Sequence, residues 1–482
     1  MDFTPLTFEQ CQRSTQGYWV SEPTDLKQPL CGGAFDSRNI EREQIFFAFS
    51  FGAQDGHQFV PKLVGSSVKL LVVERDVPPV PGVAILCVTD SLNALHQIAG
   101  WRARHFAGKI ISLTGSSGKT TLKNWLTHFL GSQLKVQANP GSFNNHIGCP
   151  VTLLALRPET EVLILEMGTS GTGELELLSS IAPADVTMLL NIGHAHLGKF
   201  GSRDALIKGK LEIFGHQREG GVNLIPALRD WSSASVPEPK VSFGGSGDYW
   251  FEAPVLDGVD GAQRFVLAGP QGRVEVEANH LGPFVPELLC AIKAVCDLLG
   301  DFEGSFASLA KCLPEGQGRS QLLIGLDQSK VIDDSYNANP ESVVSLWQTM
   351  AAFEAGRYVA CIGNLAEMDD GLKDSINVLR EGLPEKITDL FLCGDTAGVL
   401  AEALGAQRPG LNIQLFNTPL DMRESVLEIG GPQTVIGIKG SRTSHMERLV
   451  LALTGAEVSC TAQRCGLLLN CKNCPKLGGA GL

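Results

Sequence analysis

Residues 110–121 read Ile-Ile-Ser-Leu-Thr-Gly-Ser-Ser-Gly-Lys-Thr-Thr, an apolar run followed by a glycine-bracketed turn and Lys-Thr-Thr. The apolar run predicts a buried strand, and the apolar residues after Thr121 recur at helical spacing. Glycines let backbone N–H groups close around phosphate oxygens, and the N-terminus of the following helix faces the same anion. The alternative is a Gly/Ser turn before a helix with an incidental lysine. The coincidence of strand, loop, lysine and helix favours a phosphate-binding loop for ATP or GTP.

Each residue type in this loop suits a nucleoside triphosphate. Lys119 adds a point charge near the phosphates, and the hydroxyl of Thr120 is a suitable ligand for Mg²⁺. The predicted nucleotide-binding set is Gly115, Ser116, Ser117, Gly118, Lys119, Thr120 and Thr121. The motif does not say what the energy of the triphosphate is used for.

Composition narrows the class of protein. The chain has 482 residues, 43% of them hydrophobic, and a formal net charge of −13. This acidity argues against nucleic acid and anionic membranes as general partners. No apolar run approaches the roughly 20 residues of a membrane span, and the N-terminus lacks the basic and apolar regions of a signal peptide. We therefore expect a cytoplasmic protein.

Apolar strand-like runs alternate with helical patterns through most of the chain. That alternation predicts an α/β protein whose central, doubly wound sheet is mostly parallel and carries the phosphate-binding loop. We predict an N-terminal α/β domain at residues 1–105, the central domain at 106–315 and a Rossmann-like C-terminal α/β domain at 316–455, with a tail at 456–482. Residues 215–280 are rich in Gly, Pro and short β-like runs, which is typical of an inserted meander.

Two predicted strands of the central sheet end in residues that can bind metal. Glu166 follows one strand and His196 follows another, and such ends meet at one edge of a parallel sheet. A carboxylate and an imidazole at this edge can hold a divalent metal against the nucleotide. Taken singly, Glu166 could be a helix cap and His196 a loop histidine. The nearby phosphate-binding loop favours the metal site.

Polar clusters also mark the outer domains. Ser37 and Arg38 could hold an anion or lie on the surface, and the run Asp55-Gly56-His57 is by itself a turn signal. In the C-terminal domain, residues 333–340 and 439–442 follow predicted strands. Polar groups at strand ends again indicate a site.

Together, in chain order, these pieces resemble the Mur ligase family. The motifs that carry the resemblance are Asp36-Ser37-Arg38, Asp55-Gly56-His57, residues 114–121, Asn144-Asn145, Ile147-Gly148, Glu166-Met167-Gly168, Ala195-His196-Leu197, Phe200-Gly201-Ser202, Lys210 with Glu212-Ile213-Phe214, Gly318-Arg319, residues 333–340, residues 439–442 and Met446-Glu447. The resemblance implies an ATP-dependent amide ligase of peptidoglycan synthesis that works through an acyl phosphate. It implies a UDP-linked muramoyl peptide and D-alanyl-D-alanine as substrates and Mg²⁺ as cofactor. We expect the chain to be a monomer.

The resemblance also implies roles for single residues. Thr120 and Glu166 would bind one Mg²⁺, and His196 with Lys210 a second, Lys210 being carbamylated. The sequence alone does not choose between Lys208 and Lys210, whereas the family spacing from His196 to residues 212–214 selects Lys210. The remaining implied set is Arg319, Asp334, Tyr336, Asn337 and Asn339 for ATP, Lys439, Ser441 and Arg442 for the phosphate or dipeptide, and Ser37, Arg38, Asp55, His57, Asn144 and Asn145 for the UDP-linked substrate.

Some positions depart from the family pattern. The chain has His146 where an acidic residue is usual, Ser142 and Gly198 where Asn and Glu are usual, and Asn364 where an Asp is usual. Residues 282–285 lack the family's Gly-x-His-Asn run. These departures leave open a Mur-like ligase for another carboxylate and amine. A nucleotide-binding regulator without turnover is a third reading, which the retained loop and metal residues disfavour.

The chain contains 13 cysteines. Nine are scattered among apolar residues and are predicted to be buried free thiols. The other four, Cys460, Cys465, Cys471 and Cys474, crowd the tail. Four thiolates could bind Zn²⁺ or an iron–sulfur centre, and a mobile tail with free thiols is the alternative. The resemblance says nothing about this tail.

Overall fold

The structure is a computed structural model of the 482-residue chain. It describes residues 4–38, 40, 45–52, 54–193, 197–256, 261–300, 302–365, 372–460, 462, 465, 471–474 and 477. Three α/β units follow one another along these residues, and each is built around one larger β-sheet.

The first sheet has five strands. In spatial order they are Tyr18–Ser21, Ala84–Cys87, Leu70–Val73, Ile45–Phe47 and Gly33–Ala34, with only the first pair antiparallel. Two short ladders, Leu6–Thr7 with Pro29–Leu30 and Ser50–Phe51 with Gln54–Asp55, flank it. The helices are Phe8–Thr15, the 3₁₀ helix Gly56–Leu63 and Ser91–Arg104. The strands Ile45–Phe47 and Leu70–Val73 are fully buried, as expected for parallel strands covered on both faces.

The central sheet has six strands, all parallel. Their order is Val136–Ala138, Val162–Glu166, Lys109–Thr114, Ala184–Leu189, Gln217–Pro226 and Lys240–Phe243. Its helices are Lys119–Gly131, Gly148–Leu154, Glu174–Ile181, Leu197–Phe200, Arg203–Leu211, Phe284–Leu299 and Glu303–Ala310. The carboxyl ends of the Lys109 and Val162 strands lie side by side, which places the phosphate-binding loop next to Glu166.

The predicted meander over residues 215–280 is only partly correct. The strands Gln217–Pro226 and Lys240–Phe243 extend the parallel sheet, because buried Leu224 and Ile225 pack into its layers. Only the later part is antiparallel, with Trp250–Phe251 and Val255–Leu256 beside Gln263–Gly269, which pairs with Gly272–Ala278.

The C-terminal sheet also has six strands. Their order is Gln321–Ile324, Lys330–Asp334, Thr434–Lys439, Arg357–Ile362, Asp389–Cys393 and Asn412–Phe416, and only the first is antiparallel to its neighbour. The helices are Pro340–Ala351, Leu372–Gly382, Ala397–Gln407, Met422–Ile429 and Glu447–Leu453. The predicted α/β class, with a central parallel sheet behind a phosphate-binding loop, is confirmed.

The apolar core is continuous between the first two sheets. Leu95, from the N-terminal unit, and Leu165, from the central sheet, belong to one buried cluster. The other face of the central sheet packs Trp125 and Leu126 against the long helix Phe284–Leu299. The C-terminal sheet has its own clusters, around Trp347 and around Leu449. Among the described helices, none combines the length and apolar character needed to cross a membrane.

The scattered cysteines mostly follow the prediction. Seven are buried and two, Cys31 and Cys312, are exposed, which corrects the expectation for those two. All 13 cysteines are free thiols in the structure.

Candidate active site

The phosphate-binding loop turns tightly between its strand and helix. Gly118 has φ +80°, a left-handed conformation that a side chain would strain, and the helix begins at Lys119. The backbone N–H groups of Ser116 and Ser117 donate to Asn191 Oδ1 at 3.0 and 2.9 Å. Asn191, which the sequence analysis did not single out, therefore fixes the loop from the end of the neighbouring strand.

Two lysines converge on one carbonyl oxygen of this loop. Lys119 Nζ donates to Gly115 O at 2.7 Å, and Lys210 Nζ lies 3.4 Å from the same atom. Lys210 is only 1% exposed, whereas Lys208 on the same helix is exposed. Lys210 is therefore not a solvated helix lysine, and of the two candidates it is the one that reaches the loop.

Glu166 lies in a buried polar cluster at the end of its strand. Asn144 Nδ2 donates to Glu166 Oε1 at 2.7 Å. Glu166 Oε2 forms a buried ion pair with Lys123 Nζ at 3.4 Å and accepts no closer hydrogen bond. His196, its predicted metal-binding companion, lies outside the described residues. One carboxylate oxygen thus keeps a lone pair for a ligand.

Lys123 is a second residue that the sequence analysis missed. Its side chain is 2% exposed, and its ammonium group donates to Asn139 O at 2.7 Å and to Gly141 O. Burial lowers the pKa of Lys123, and the carboxylate of Glu166 opposes that shift. The available signal was its position one helical turn after Lys119, which places both lysines on one helix face.

The residues present fit a hard divalent cation. Carboxylate and hydroxyl oxygens are the ligands that Mg²⁺ prefers, and Glu166 and Thr120 supply one of each beside the loop. The Glu166 oxygen without a hydrogen bond is the observation that favours this use. We keep Thr120, Glu166, His196 and Lys210 as the proposed metal set.

Asn145 has a different role from its neighbour Asn144. Asn145 Oδ1 accepts hydrogen bonds from the N–H groups of Ile147 and Gly148 at 3.1 and 2.9 Å. These contacts satisfy the N-terminus of the helix Gly148–Leu154. The predicted contact of Asn144 and Asn145 with substrate remains a prediction.

The C-terminal unit touches the loop directly. Asn339 Nδ2 donates to Ser117 Oγ at 3.2 Å, and its Oδ1 caps the helix Pro340–Ala351 by accepting from Ser342 N. In the first turn of that helix, the Glu341 carboxylate lies against Gly193, where an added Cβ would come within 2.9 Å of it. The two α/β units therefore meet around the phosphate-binding loop.

Tyr336 extends the same contact. Its hydroxyl donates to Ser142 Oγ at 3.3 Å. The guanidinium carbons of Arg319 and Arg442 lie 4.1 and 5.7 Å from the centroid of its ring, within the range of cation–π attraction. Asn337 is exposed beside them. The predicted ATP-facing group of Arg319, Tyr336 and Asn337 thus lies in one place, and its contact with the nucleotide remains a prediction.

Lys439 forms a buried ion pair with Asp334 across adjacent parallel strands. Burial raises the pKa of Asp334, and the ammonium group of Lys439 opposes that shift. Ser441 follows closely; its N–H donates to Asn364 O at 2.7 Å, and its hydroxyl lies 3.0 Å from the Thr443 hydroxyl. The expected roles of Lys439, Ser441 and Arg442 in binding phosphate or dipeptide remain predictions.

In the first unit, Asp55 and His57 form a closed hydrogen-bonded unit. His57 Nδ1 lies 2.7 Å from Asp55 Oδ1, and His57 Nε2 accepts from Glu74 N at 3.0 Å. The Arg75 guanidinium and the His57 ring hold the pKa of Asp55 at about 2. Because both ring nitrogens of buried His57 are engaged within the domain, its observed contacts are structural.

The Ser37–Arg38 segment lies nearer the surface. Arg38 forms a bidentate ion pair with Asp36, with Nη2 2.6 Å from Oδ2, and its side chain is 83% exposed. Ser37 is half-buried. This pairing agrees with the alternative of a surface arginine, and binding of the UDP end by Ser37 and Arg38 remains a prediction.

The four tail cysteines, all among the described residues, do not gather into the four-thiolate cluster that their spacing allows. Among the described residues, the group that could hold a metal consists of His445, Glu447 and Cys471, all buried. Cys460, Cys465 and Cys474 are half-buried outside that group. Cys471 differs from them because it packs against the start of the helix Glu447–Leu453 and accepts from Arg448.

These features define an α/β protein whose phosphate-binding loop faces a carboxylate site and a second α/β unit. Two family models match the chain: the Mur ligase middle domain at residues 113–295 and the Mur ligase glutamate ligase domain at residues 318–442. The chain belongs to the Mur ligase family.

Three relatives illustrate the match. A UDP-N-acetylmuramoyl-tripeptide–D-alanyl-D-alanine ligase from Bacillus subtilis is 30% identical over 91% of this chain and 96% of the relative. A crystal structure of MurF from Acinetobacter baumannii aligns with TM-score 0.83 and 29% identity over 94% of this chain and 100% of that one. MurF from Thermotoga maritima in complex with ADP, 24% identical, shares the fold with TM-score 0.76 over 88% of this chain and 97% of its own.

Proposed function

We propose that the chain is an ATP-dependent peptide ligase that joins D-alanyl-D-alanine to UDP-N-acetylmuramoyl-tripeptide in peptidoglycan precursor synthesis. The observation that carries the proposal is the B. subtilis relative of that name, whose match covers 91% of this chain and so extends beyond the nucleotide-binding region. The site supports the same reaction class, because a phosphate-binding loop, a carboxylate and a second domain come together around one space.

In the first step, the terminal carboxylate of the tripeptide attacks the γ-phosphorus of ATP. An O–P bond forms, the bond to the β-phosphate oxygen breaks, and ADP leaves an acyl phosphate. The backbone of residues 115–118 and the ammonium of Lys119 hold the phosphates during this transfer. Mg²⁺, when held by Thr120 and Glu166, supplies positive charge that spreads the developing charge of the phosphoryl group.

In the second step, the amine of D-alanyl-D-alanine attacks the acyl carbon. The C–N bond forms, the acyl C–O bond breaks to release phosphate, and the departing phosphate takes up the proton that the amine loses. The strand Thr434–Lys439 ends at Lys439, and Ser441 and Arg442 follow it; all three are proposed to orient the dipeptide or the leaving phosphate. The residues proposed to close over the nucleotide are Arg319, Asp334, Tyr336, Asn337 and Asn339.

Lys210 is proposed to act as a carbamate, which turns a cation into a carboxylate-like ligand beside His196. Its burial next to Gly115 O supports this assignment, since an ammonium group there would add to the positive charge of Lys119. The Ser37, Arg38, Asp55 and His57 region of the first unit is proposed to hold the UDP end. We further propose domain boundaries near residues 105, 315 and 455. The chain is also proposed to be a monomer and to be cytoplasmic.

The decisive test is phosphate release by the purified full chain. We expect release only when ATP, UDP-linked tripeptide and D-alanyl-D-alanine are all present, with the ligated UDP-pentapeptide identified by mass spectrometry. The Lys119→Ala variant is the matched control and should release phosphate at least a hundredfold more slowly. Release with a different carboxylate or amine would instead favour a repurposed ligase, and no release with any pair would contradict the proposal.

A further inference from the structure

The C-terminal tail returns to the ligase domain beyond the matched family region. The glutamate ligase domain model ends at residue 442, and Cys471 packs against residues 445–448. Here His445 Nδ1, Glu447 Oε1 and Cys471 Sγ come together. Each of the three residues is less than 10% exposed. The proposed ligase reaction uses none of them.

The distances between the three atoms match the edges of a tetrahedral metal site. Cys471 Sγ lies 3.6 Å from His445 Nδ1, and His445 Nδ1 lies 3.6 Å from Glu447 Oε1. Zinc bonds of about 2.3 Å to sulfur and about 2.0–2.2 Å to nitrogen and oxygen place tetrahedral ligand atoms about 3.5 Å apart. The third pair of atoms, Cys471 Sγ and Glu447 Oε1, lies within 4.8 Å, so closing around one ion requires at most a shift of about 1 Å at that edge.

The chemistry of the set favours zinc. Thiolate and imidazole are poor ligands for Mg²⁺ and Ca²⁺ and good ligands for Zn²⁺. One thiolate and one carboxylate balance the charge of a divalent cation, and the buried Arg448 guanidinium adds one positive charge beside the sulfur. Arg448 Nε donates to Cys471 Sγ at 3.3 Å, so an outer donor already orients the sulfur.

We propose that His445, Glu447 and Cys471 bind one Zn²⁺, with water in the fourth position, and that this ion anchors the tail to the ligase domain. The anchor has a consequence next to the active site. Lys472, the residue after Cys471, donates to Asp333 Oδ2 at 3.1 Å, and Asp333 precedes the Asp334 that pairs with Lys439. The zinc site thus holds a tail lysine against the strand that carries part of the proposed ATP site.

Zinc content of the untagged full chain tests the proposal. The chain is incubated with zinc chloride, and unbound zinc is removed by gel filtration. Inductively coupled plasma mass spectrometry should then find about one zinc ion per chain. Cys471→Ser and His445→Ala should bind zinc at least tenfold more weakly. Cys312→Ser, which removes an exposed thiol elsewhere, should bind it like the wild type. The measurement needs no substrate, so its failure is distinct from a failure of the proposed ligase reaction.

Cobalt spectroscopy of the wild-type chain covers the case in which a variant does not fold. One Co²⁺–thiolate bond should give a charge-transfer band of single-thiolate intensity. A band of four-thiolate intensity would overturn the assignment. So would absence of zinc in the wild type, or loss of zinc in Cys460→Ser, Cys465→Ser or Cys474→Ser with retention in His445→Ala.

Discussion

Asn144 donates a hydrogen bond from Nδ2 to Glu166 Oε1 at 2.7 Å and so orients the carboxylate of the proposed magnesium site. The Asn144→Ala variant should therefore need about 10- to 100-fold more Mg²⁺ for half-maximal phosphate release, because partners of metal ligands affect affinity by about that factor. Phosphate release titrated with MgCl₂ measures this shift.

Asn145→Ala is the matched control for this prediction. Asn145 Oδ1 accepts hydrogen bonds from Ile147 N and Gly148 N at the start of the helix Gly148–Leu154, whereas the hydrogen bond to Glu166 comes from Asn144. The Asn145→Ala variant should therefore lose about 1 kcal/mol of unfolding free energy, seen as a lower thermal midpoint. Its magnesium requirement should stay that of the wild type. Equal magnesium dependence of the two variants would contradict the role given to Asn144.

Lys210→Ala should lower the rate of phosphate release at least a hundredfold. The Lys210 side chain is buried beside Gly115 O, the loop carbonyl oxygen that also accepts a hydrogen bond from Lys119. Lys208→Ala, an exposed lysine of the same helix, should retain the wild-type rate. If the active group is a carbamate, added acetate should restore part of the activity of Lys210→Ala by replacing the missing carboxylate. Rescue by methylamine instead of acetate would indicate an ammonium group.

Asn339 and Ser342 share one helix cap, but only Asn339 reaches the phosphate-binding loop. Asn339→Ala should destabilise the C-terminal unit by about 1 kcal/mol and also raise the KM for ATP several-fold, because the contact with Ser117 is lost. Ser342→Ala should show the stability loss alone. Thermal unfolding and ATP-dependent kinetics of both variants separate the two effects, and an unchanged KM in Asn339→Ala would show that the Ser117 contact is dispensable.

Lys472 is the cation that faces the buried carboxylate of Asp333, which is 0% exposed. Lys472→Ala should destabilise the chain by about 1–3 kcal/mol, since it takes an ionic partner from a buried charge. In the background of Asp333→Asn the same substitution should cost much less, because the amide carries no charge. Chemical denaturation of the four proteins in this cycle gives the coupling, and additive effects would mean that the pair does not stabilise the fold.

His280 makes stability depend on pH. Burial beside Trp125 lowers the pKa of His280 from 6.5 to about 4. Between pH 6.5 and pH 4 the His280 side chain is protonated in the unfolded chain but mostly neutral in the folded chain. Its contribution to the free energy of unfolding is therefore fully present above pH 6.5 and is lost as the pH falls towards 4. The lowering of the His280 pKa from 6.5 to about 4 corresponds to about 3 kcal/mol in the free energy of unfolding.

The His280→Gln variant removes this titration. Its thermal midpoint should fall less steeply than that of the wild type between pH 6.5 and 4, as followed by tryptophan fluorescence and calorimetry. Parallel curves for the two proteins would mean that His280 does not titrate in this way.

The sequence was most informative where one segment determines its own structure. The phosphate-binding loop and nearly all the strands proposed around it are present, because apolar runs and glycine turns act over a few residues. The prediction that failed depends on pairing between segments that are far apart in the sequence. The Gly- and Pro-rich composition of residues 215–280 predicts a meander, whereas Gln217–Pro226 pairs in parallel with the strand Ala184–Leu189, which lies earlier in the chain.

The sequence by itself determined the α/β class, the nucleotide loop and the family to which the chain belongs. Only the tertiary structure decided which side chains meet at the site. Asn191 and Lys123 are ordinary residues until neighbouring strand ends and a shared helix face bring them to the loop and to Glu166. Cys471 likewise meets His445, 26 residues away, rather than joining a cluster of the other tail thiols. Such contacts depend on strand order and on how the chain folds back, and neither is encoded in the spacing of a local motif.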